Sequence, residues 1–284
     1  MTAHARSLRL RFLLLTFMDL RPFALTREQV LHGAQLLDYQ PFILADDVQT
    51  GIGYDWLYGP QDPGRYVAFR EQVSSEVWER FSTANAQLRN MYDDWIEAVC
   101  HYTTGNESVL DVACNSGYFL QAFARNGYPQ CVGYDLLDKT EVFAYLNGIL
   151  GTDARFIHER YDSWTHQLPG CQPADVVIAS AILLHLSDPL YFLYFLGSVT
   201  KKVLFLFTRV IRAPEYVIYY HEPNEYYKDD PFPVCFDNNN YISTGLLQLS
   251  LRKLGFREVI ELQPTESWIP QQVMGTKGVL VCLK

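Results

Sequence analysis

Short apolar runs rich in β-branched residues alternate with helical spans from Gly105 onward. Such runs are typical of the buried strands of a parallel sheet, and the spans between them are typical of helices that cover its faces. Five runs follow one another: Ser108 to Ala113, Gln130 to Tyr134, Ala154 to His158, Asp175 to Ser180, and Lys202 to Thr208. The segment 162–173 has little helical pattern, so the third connection alone departs from a βαβ order.

The C-terminal part of the chain adds a helix and two further strand candidates. A helical pattern runs from about Tyr241 to Leu254 and stops at Gly255, a residue type common just after a helix. Two apolar runs follow, Phe256 to Leu262 and Gly278 to Leu283. The sequence therefore predicts an α/β fold with a seven-stranded, mostly parallel, Rossmann-like sheet flanked by helices.

The first 105 residues do not show this alternation of short apolar runs and helical spans. We predict a helical N-terminal cap or lead-in over 1–105 before the main domain at 106–284. Thr26 and Gln29 have the spacing of a capping box at the start of a helix that runs to about Leu37. The stretch 39–66 is rich in Pro, Gly and aromatic residues and is predicted to lie irregularly over another part of the chain. From about 67 to 102 apolar residues recur at three- and four-residue steps, which predicts one long or two shorter helices.

Composition narrows the class of protein. The chain has 284 residues, of which 49% are apolar and 19% charged, and this fits one large domain or a core domain with a cap. The formal net charge of −9 disfavours nucleic-acid binding, which depends on positive charge. The six cysteines are scattered without a C-x-x-C pair, so we expect reduced thiols, no metal site and a cytoplasmic protein. A homodimer remains open.

The N-terminus imitates a secretory signal, because a basic stretch precedes apolar residues that end at Met18. That apolar run is short, and the polar residues from Asp19 onward follow it without a small-residue cleavage site, so secretion is disfavoured. Membrane contact is not expected either, because no run approaches the roughly 20 apolar residues of a spanning helix. Translation begins at either Met1 or Met18.

The strongest local signal is the turn after the first predicted strand, Glu107-Ser-Val-Leu-Asp-Val-Ala-Cys-Asn-Ser-Gly-Tyr-Phe-Leu120. Rossmann-like sheets bind their ligands at such a turn, at the carboxyl ends of the strands. A dinucleotide site needs the glycines of G-x-G-x-x-G so that pyrophosphate can meet bare backbone, but this turn has only Gly117. Asp111 would repel pyrophosphate and suit a ligand that carries an ammonium and a sulfonium. The charge balance therefore favours S-adenosyl-L-methionine over NAD.

A second acid, Asp135, ends the next strand in Val132-Gly-Tyr-Asp135. A carboxylate at this place can accept both ribose hydroxyl hydrogens in a bidentate contact. Each residue also has a plainer interpretation: Asp135 is a solvated loop carboxylate, Gly117 only eases the turn, and Asp111 is only an acid near a helix. Nevertheless, a carboxylate at the end of an apolar strand needs a partner.

These residues resemble those of class I S-adenosylmethionine-dependent methyltransferases over about 105–284. Val109-Leu-Asp-Val-Ala-Cys-Asn-Ser-Gly117 is similar to their motif I, and Gly133-Tyr-Asp135 to their second motif. The segment from Asp175 to His185 resembles their fourth-strand segment, and Leu254-Gly-Phe256 their helix-to-strand junction near the C-terminus. The resemblance implies a methyltransferase sheet whose last strand inserts antiparallel.

The resemblance also implies which residues hold the cofactor, S-adenosyl-L-methionine. They are Asp111, Ala113, Cys114, Asn115, Gly117, Asp135, Leu136, Asp162, Ser180 and Ala181. Ala113 and Asn115 stand where glycines are frequent in D-x-G-x-G-x-G, which is a departure from the usual motif. Leu136 would pack on the adenine. Asp162 would accept a hydrogen bond from the adenine amino group, or else cap a turn before Trp164.

The acceptor side is predicted from the segments after the fourth and fifth strands. His185 follows the fourth strand and is either a general base or a structural residue of the loop. The tyrosine-rich insertion, about 213–240, is predicted to be a lid over a small-molecule acceptor that is methylated on oxygen or nitrogen. The candidates in this lid are Tyr219, Tyr220 and Tyr226 for acceptor binding, and His221 as a base. His221 and Glu222 are otherwise metal ligands or residues of a solvated loop.

A narrower resemblance gives an alternative acceptor. The segments 41–51, 181–185 and 247–256 are similar to the group that contains the tRNA wobble-uridine carboxymethyltransferase. The tyrosine that precedes the histidine in that enzyme is replaced by Leu184, which argues for ordinary S-adenosylmethionine, and the acidic net charge argues against tRNA. Two other classes remain as alternatives: an NAD-dependent oxidoreductase, and a non-catalytic protein that binds an adenosyl ligand.

Overall fold

The computed structural model describes residues 18–51, 66–162, 164–186, 188–219, 240–266, 268 and 277–284. The N-terminal region contains helix α1 (Arg27–Leu36), strands β1 (Ile43–Ala45), β2 (Val48–Thr50) and β3 (Val67–Phe69), and helix α2 (Ser75–His101). The three strands form a small antiparallel sheet in the order β1-β2-β3. The region is therefore not purely helical, as the sequence predicted it to be. The sequence did not indicate these strands, because three residues are too few to give a clear alternation of apolar and polar positions.

Both helix starts in this region follow from capping side chains. Thr26 and Gln29 form the predicted capping box at the start of α1. Ser74 accepts a hydrogen bond from the backbone nitrogen of Val77 and begins α2, which is a single long helix. The predicted helical pattern started earlier, at Val67, but that residue begins β3 and pairs with Thr50.

The main sheet carries the rest of the fold. Its elements are β4 (Ser108–Val112), α3 (Tyr118–Arg125), β5 (Gln130–Asp135), α4 (Thr140–Leu150), β6 (Arg155–His158), β7 (Ala174–Ser180), α5 (Pro189–Val199), β8 (Thr200–Ile211), β9 (Ile218–Tyr219), β10 (Tyr241–Ser243), α6 (Thr244–Lys253), β11 (Glu258–Glu261) and β12 (Lys277–Leu283). The strand order is β11-β12-β8-β7-β4-β5-β6, with β10 beside β8 and β9 beside β10. Strands β4 to β8 are parallel, and β12 is antiparallel to both of its neighbours.

The predicted fold class is confirmed: seven strands form the expected mostly parallel sheet, and the last strand inserts antiparallel. The short strands β9 and β10 extend this sheet beyond the prediction. Two hydrophobic clusters cover its faces. On one face Trp95 of α2 packs against Phe207 of β8, with ring centroids 4.6 Å apart. The N-terminal region and the main sheet therefore share a core, and the boundary at residue 105 stays a prediction.

Within the part of the chain that the structure describes, no helix has the length and apolar character needed to cross a membrane.

Candidate cofactor and acceptor site

The turn between β4 and α3 has an unusual backbone. Ala113, Asn115 and Gly117 all have positive φ angles, of 64°, 50° and 77°. A left-handed backbone is unfavourable for residues with a side chain, and such strain is concentrated at functional sites. Ala113 and Asn115, which stand where glycines are frequent in the motif, thus keep the left-handed backbone conformation that glycine favours. At Gly117 an added Cβ atom would also lie 2.5 Å from the ring of Phe143, so this position excludes larger residues.

Asp111 lies at the bottom of the site and is 1% exposed. Neither of its carboxylate oxygens has a hydrogen-bond partner among the described residues. Burial, and then the nearby charge of Asp135, raise the pKa of Asp111 well above its usual value. A buried carboxylate without donors is costly, so this position fits a ligand that brings its own positive charge or hydrogen-bond donors.

Asp135 connects the turn to the end of β5. One of its carboxylate oxygens accepts a hydrogen bond from the backbone nitrogen of Asn115 at 2.8 Å, and the other accepts from that of Leu137 at 2.9 Å. An ionised carboxylate has about four acceptor positions, so each oxygen retains room for a second donor. The side chain therefore holds the turn in place and can still accept hydrogen bonds from a ligand.

A partly open cavity of about 70 Å³ lies at the carboxyl ends of β4 and β7. It brings together five of the predicted cofactor residues, namely Asp111, Ala113, Cys114, Ser180 and Ala181. It is also lined by residues that the sequence did not indicate, which are Tyr39, Gln40, Leu88, Tyr92, Phe119, Phe207 and Lys277. Ala181 has a φ angle of 60° and its backbone nitrogen donates to the Phe207 carbonyl at 2.8 Å, so strain is also present on the β7 side.

The N-terminal region supplies one wall of this cavity through Tyr39 and Gln40, which follow Asp38 in the chain. The Gln40 side chain is buried; it donates to the Cys114 carbonyl at 3.4 Å and accepts from the Tyr118 backbone nitrogen at 3.1 Å. Asp38 accepts from the ammonium of Lys139 at 2.8 Å. The only sequence signal for this wall was the irregular stretch from Tyr39, which was predicted to lie over another part of the chain.

The other predicted residues that the structure describes are not among those that line the cavity. Leu136 is 56% exposed. The Asp162 carboxylate accepts from the Trp164 backbone nitrogen at 2.8 Å and from the Thr165 hydroxyl at 2.9 Å, which is the turn-capping arrangement. His185 ends a short 3-10 helix after β7 and is partly exposed.

Most of the predicted lid, residues 220–239, lies outside the described residues. Tyr219 lies in β9 and is 56% exposed. Tyr220, His221 and Tyr226 lie outside the described residues.

Comparison with known proteins gives the family. A family model described as a methyltransferase domain matches residues 83–259, which is more than half of the chain. The chain therefore belongs to this family of methyltransferase domains, and the predicted class, a class I S-adenosylmethionine-dependent methyltransferase, is confirmed. No curated protein matches the sequence.

Two solved structures illustrate the similarity of the fold. The magnesium protoporphyrin IX methyltransferase from Synechocystis PCC 6803, with bound S-adenosylhomocysteine, is 13% identical with a TM-score of 0.51; the match covers 75% of this chain and 89% of that chain. The cyclase SpnF is 19% identical with a TM-score of 0.50, and the match covers 71% of this chain and 83% of that chain. At these identities the likeness concerns the fold, so the acceptor must be argued from the site.

Proposed function

We propose that this chain binds S-adenosyl-L-methionine in the cavity beside Asp111 and transfers its methyl group to the oxygen or nitrogen of a small molecule. The observation that carries the proposal is the buried Asp111 carboxylate, whose two oxygens have no donors among the described residues. The cofactor carries an ammonium and a sulfonium group, and either kind of positive charge would offset the cost of burying this carboxylate.

The other residues of the turn have roles that fit the same ligand. Asp135 would accept from the ribose hydroxyls with the acceptor positions that Asn115 and Leu137 leave open. Ala113 and Gly117 would let the methionine part come close to the backbone, since neither has a large side chain, and Cys114 and Asn115 belong to the same turn. Ser180 and Ala181 would flank the same part from β7, because they line the cavity with Asp111.

The adenine end is proposed to extend toward the surface beyond Asp135. Leu136 is exposed there and would cover one face of the ring. Asp162 remains a candidate for the adenine amino group. Its carboxylate already holds the turn at Trp164 and Thr165, so any contact with adenine would use its remaining acceptor positions.

The acceptor is proposed to enter from the side of β8, β9 and β12. Methyl transfer is a displacement at a carbon that the sulfonium already activates, so alignment of an acceptor lone pair supplies much of the rate. His185 would act as a base only for an acceptor that keeps its proton at neutral pH. Tyr219, Tyr220, Tyr226 and His221 remain candidates for acceptor contacts.

A transfer assay tests the acceptor class directly. The purified chain is incubated with S-adenosylmethionine carrying a tritiated methyl group, in parallel with a deproteinised small-molecule extract and with total tRNA. The proposal predicts label in the small-molecule fraction. Label in tRNA would instead establish the alternative acceptor, and the acidic net charge of −9 argues against that result.

A further inference from the structure

Two positive residues are paired between β12 and β8, and one of them, Lys277, lines the cofactor cavity. Lys277 of β12 is the register partner of Arg209 of β8. Directly opposed residues of an antiparallel pair project from the same face of the sheet, and like charges in this arrangement destabilise it. Lys277 also lines the cavity that contains Asp111 and Ala181. A local rule of sheet pairing is therefore broken where the acceptor is proposed to bind, and such violations are typical of functional sites.

Aromatic side chains lie beside both members of the pair. The Lys277 ammonium lies 4.7 Å from the centre of the Phe207 ring. Burial, and then the Arg209 cation, lower the pKa of Lys277 to about 8. Arg209 donates from Nη1 to the Tyr241 hydroxyl at 3.1 Å, whereas its buried Nε has no hydrogen-bond partner among the described residues. The guanidinium therefore has one donor group that the described residues leave unused.

We infer that Lys277 and Arg209 bind the carboxylate of the methyl acceptor, so that the substrate is a small carboxylic acid and the product is its methyl ester. The inference rests on the proposed function and specifies its acceptor. A carboxylate matches the planar donor arrangement of arginine, and charge-assisted hydrogen bonds are the strong ones. It is also ionised at neutral pH and needs no base, and none of the described residues that line the cavity is a histidine.

The chemical step balances without a proton transfer. A lone pair of the carboxylate oxygen forms the new bond to the methyl carbon, while the bond between that carbon and sulfur breaks and its electron pair stays on sulfur. The negative acceptor and the positive sulfonium become a neutral ester and a neutral thioether. Because the ester has lost its charge, Lys277 and Arg209 hold it less strongly than the acid, which favours product release.

Small carboxylates and their amides test the inference in solution. The chain is saturated with S-adenosylhomocysteine, its lysines are reductively dimethylated with ¹³C, and the Lys277 signal is identified by its loss in Lys277→Gln. Acetate, butyrate and benzoate are then titrated beside acetamide, butyramide and benzamide. We expect saturable shifts of the Lys277 signal with the carboxylates and none with the amides, and weaker benzoate binding as the pH rises through about 8, where Lys277 loses its charge. Equal responses to acids and amides would overturn the inference, as would benzoate binding that strengthens through this pH range.

A second lysine of similar setting provides the control. Lys284 lies just beyond the other end of β12, with its ammonium 5.6 Å from the centre of the Phe256 ring. Lys277→Met is expected to weaken benzoate binding about tenfold or more, the scale of one charged hydrogen bond, while Lys284→Met leaves it unchanged. Equal losses in both variants would contradict the inference. If the wild-type chain failed to bind S-adenosylhomocysteine, the proposed function itself would fail; binding without a preference for carboxylates would remove only the assignment of the acceptor.

Discussion

The side-chain oxygen of Gln40 accepts a hydrogen bond from the backbone nitrogen of Tyr118 at 3.1 Å. Tyr118 is the first residue of α3, and the residue before it is Gly117, which has no side chain to cap the helix. A residue from the N-terminal region therefore supplies the cap, and its amide nitrogen also donates to the carbonyl of Cys114. The turn between β4 and α3 is thus held at both ends by the buried side chain of Gln40, which lies outside the main sheet.

Replacing this side chain tests the contribution of the N-terminal region. Gln40→Leu removes the acceptor of the Tyr118 N–H group and one of the two donors to the Cys114 carbonyl, which keeps its hydrogen bond from the Gly117 backbone nitrogen. We therefore expect a loss of roughly 1–3 kcal/mol in the free energy of unfolding. Binding of S-adenosylmethionine should weaken as well, because the turn loses its outer support. Chemical denaturation and isothermal titration measure the two effects. Gln35→Leu, at an exposed position of α1, is the matched control, and equal effects in both variants would contradict the assignment.

A comparison of two glycines tests the packing of the turn. Gly117 and Gly127 have φ angles of 77° and 85°, but an added Cβ atom would meet the Phe143 ring only at Gly117. Gly127→Ala should cost about 1–2 kcal/mol of stability for the left-handed backbone alone. Gly117→Ala should cost about 1–3 kcal/mol more for overpacking, and should also weaken cofactor binding. Equal losses in the denaturation midpoint would show that Phe143 does not restrict this position.

Some features of the fold and of the site could be predicted from the sequence, and others could not. The parallel strands, the antiparallel last strand and the acids Asp111 and Asp135 follow from patterns within short windows of sequence. The contact of Gln40 with Tyr118 joins residues 78 apart, and no periodicity in either segment indicates it. Similarly, Lys277 faces Arg209 only because of the register between β12 and β8. Local sequence patterns therefore predict the turn between β4 and α3, whereas the walls of the cofactor cavity depend on tertiary contacts.

The pH dependence of stability is expected to depend on Asp93. Its carboxylate accepts from the Tyr118 hydroxyl at 3.0 Å, and burial raises its pKa from 3.8 to about 7. The folded state therefore holds a proton between these two pKa values that the unfolded state has released. Its contribution to stability is full below pH 3.8 and is lost as the pH rises through about 7.

Asp93→Asn removes this titration while keeping an acceptor for Tyr118. The variant should be more stable than the wild type at pH 8, with the difference shrinking toward pH 5. Urea denaturation at a series of pH values measures the difference between the two proteins. A difference that does not change with pH would contradict the assignment.

Ribose binding by Asp135 is tested with two variants. Asp135→Ala should weaken cofactor binding about tenfold or more, because both the ribose contact and the support of the turn at Asn115 are lost. Asp135→Asn keeps an acceptor oxygen and should retain more affinity than Asp135→Ala. Unchanged affinity in Asp135→Ala would remove the ribose assignment.

The most direct test of the account is isothermal titration of the wild-type chain and Asp111→Asn with S-adenosylmethionine, S-adenosylhomocysteine and NAD. The wild type should bind the first two with micromolar affinity and should not bind NAD. Asp111→Asn should bind both about tenfold more weakly or worse, without loss of thermal stability, because the substitution removes a buried ionisable carboxyl group whose oxygens have no donors among the described residues. Binding of NAD alone, or equal affinity of both proteins for S-adenosylmethionine, would contradict the proposed cofactor site.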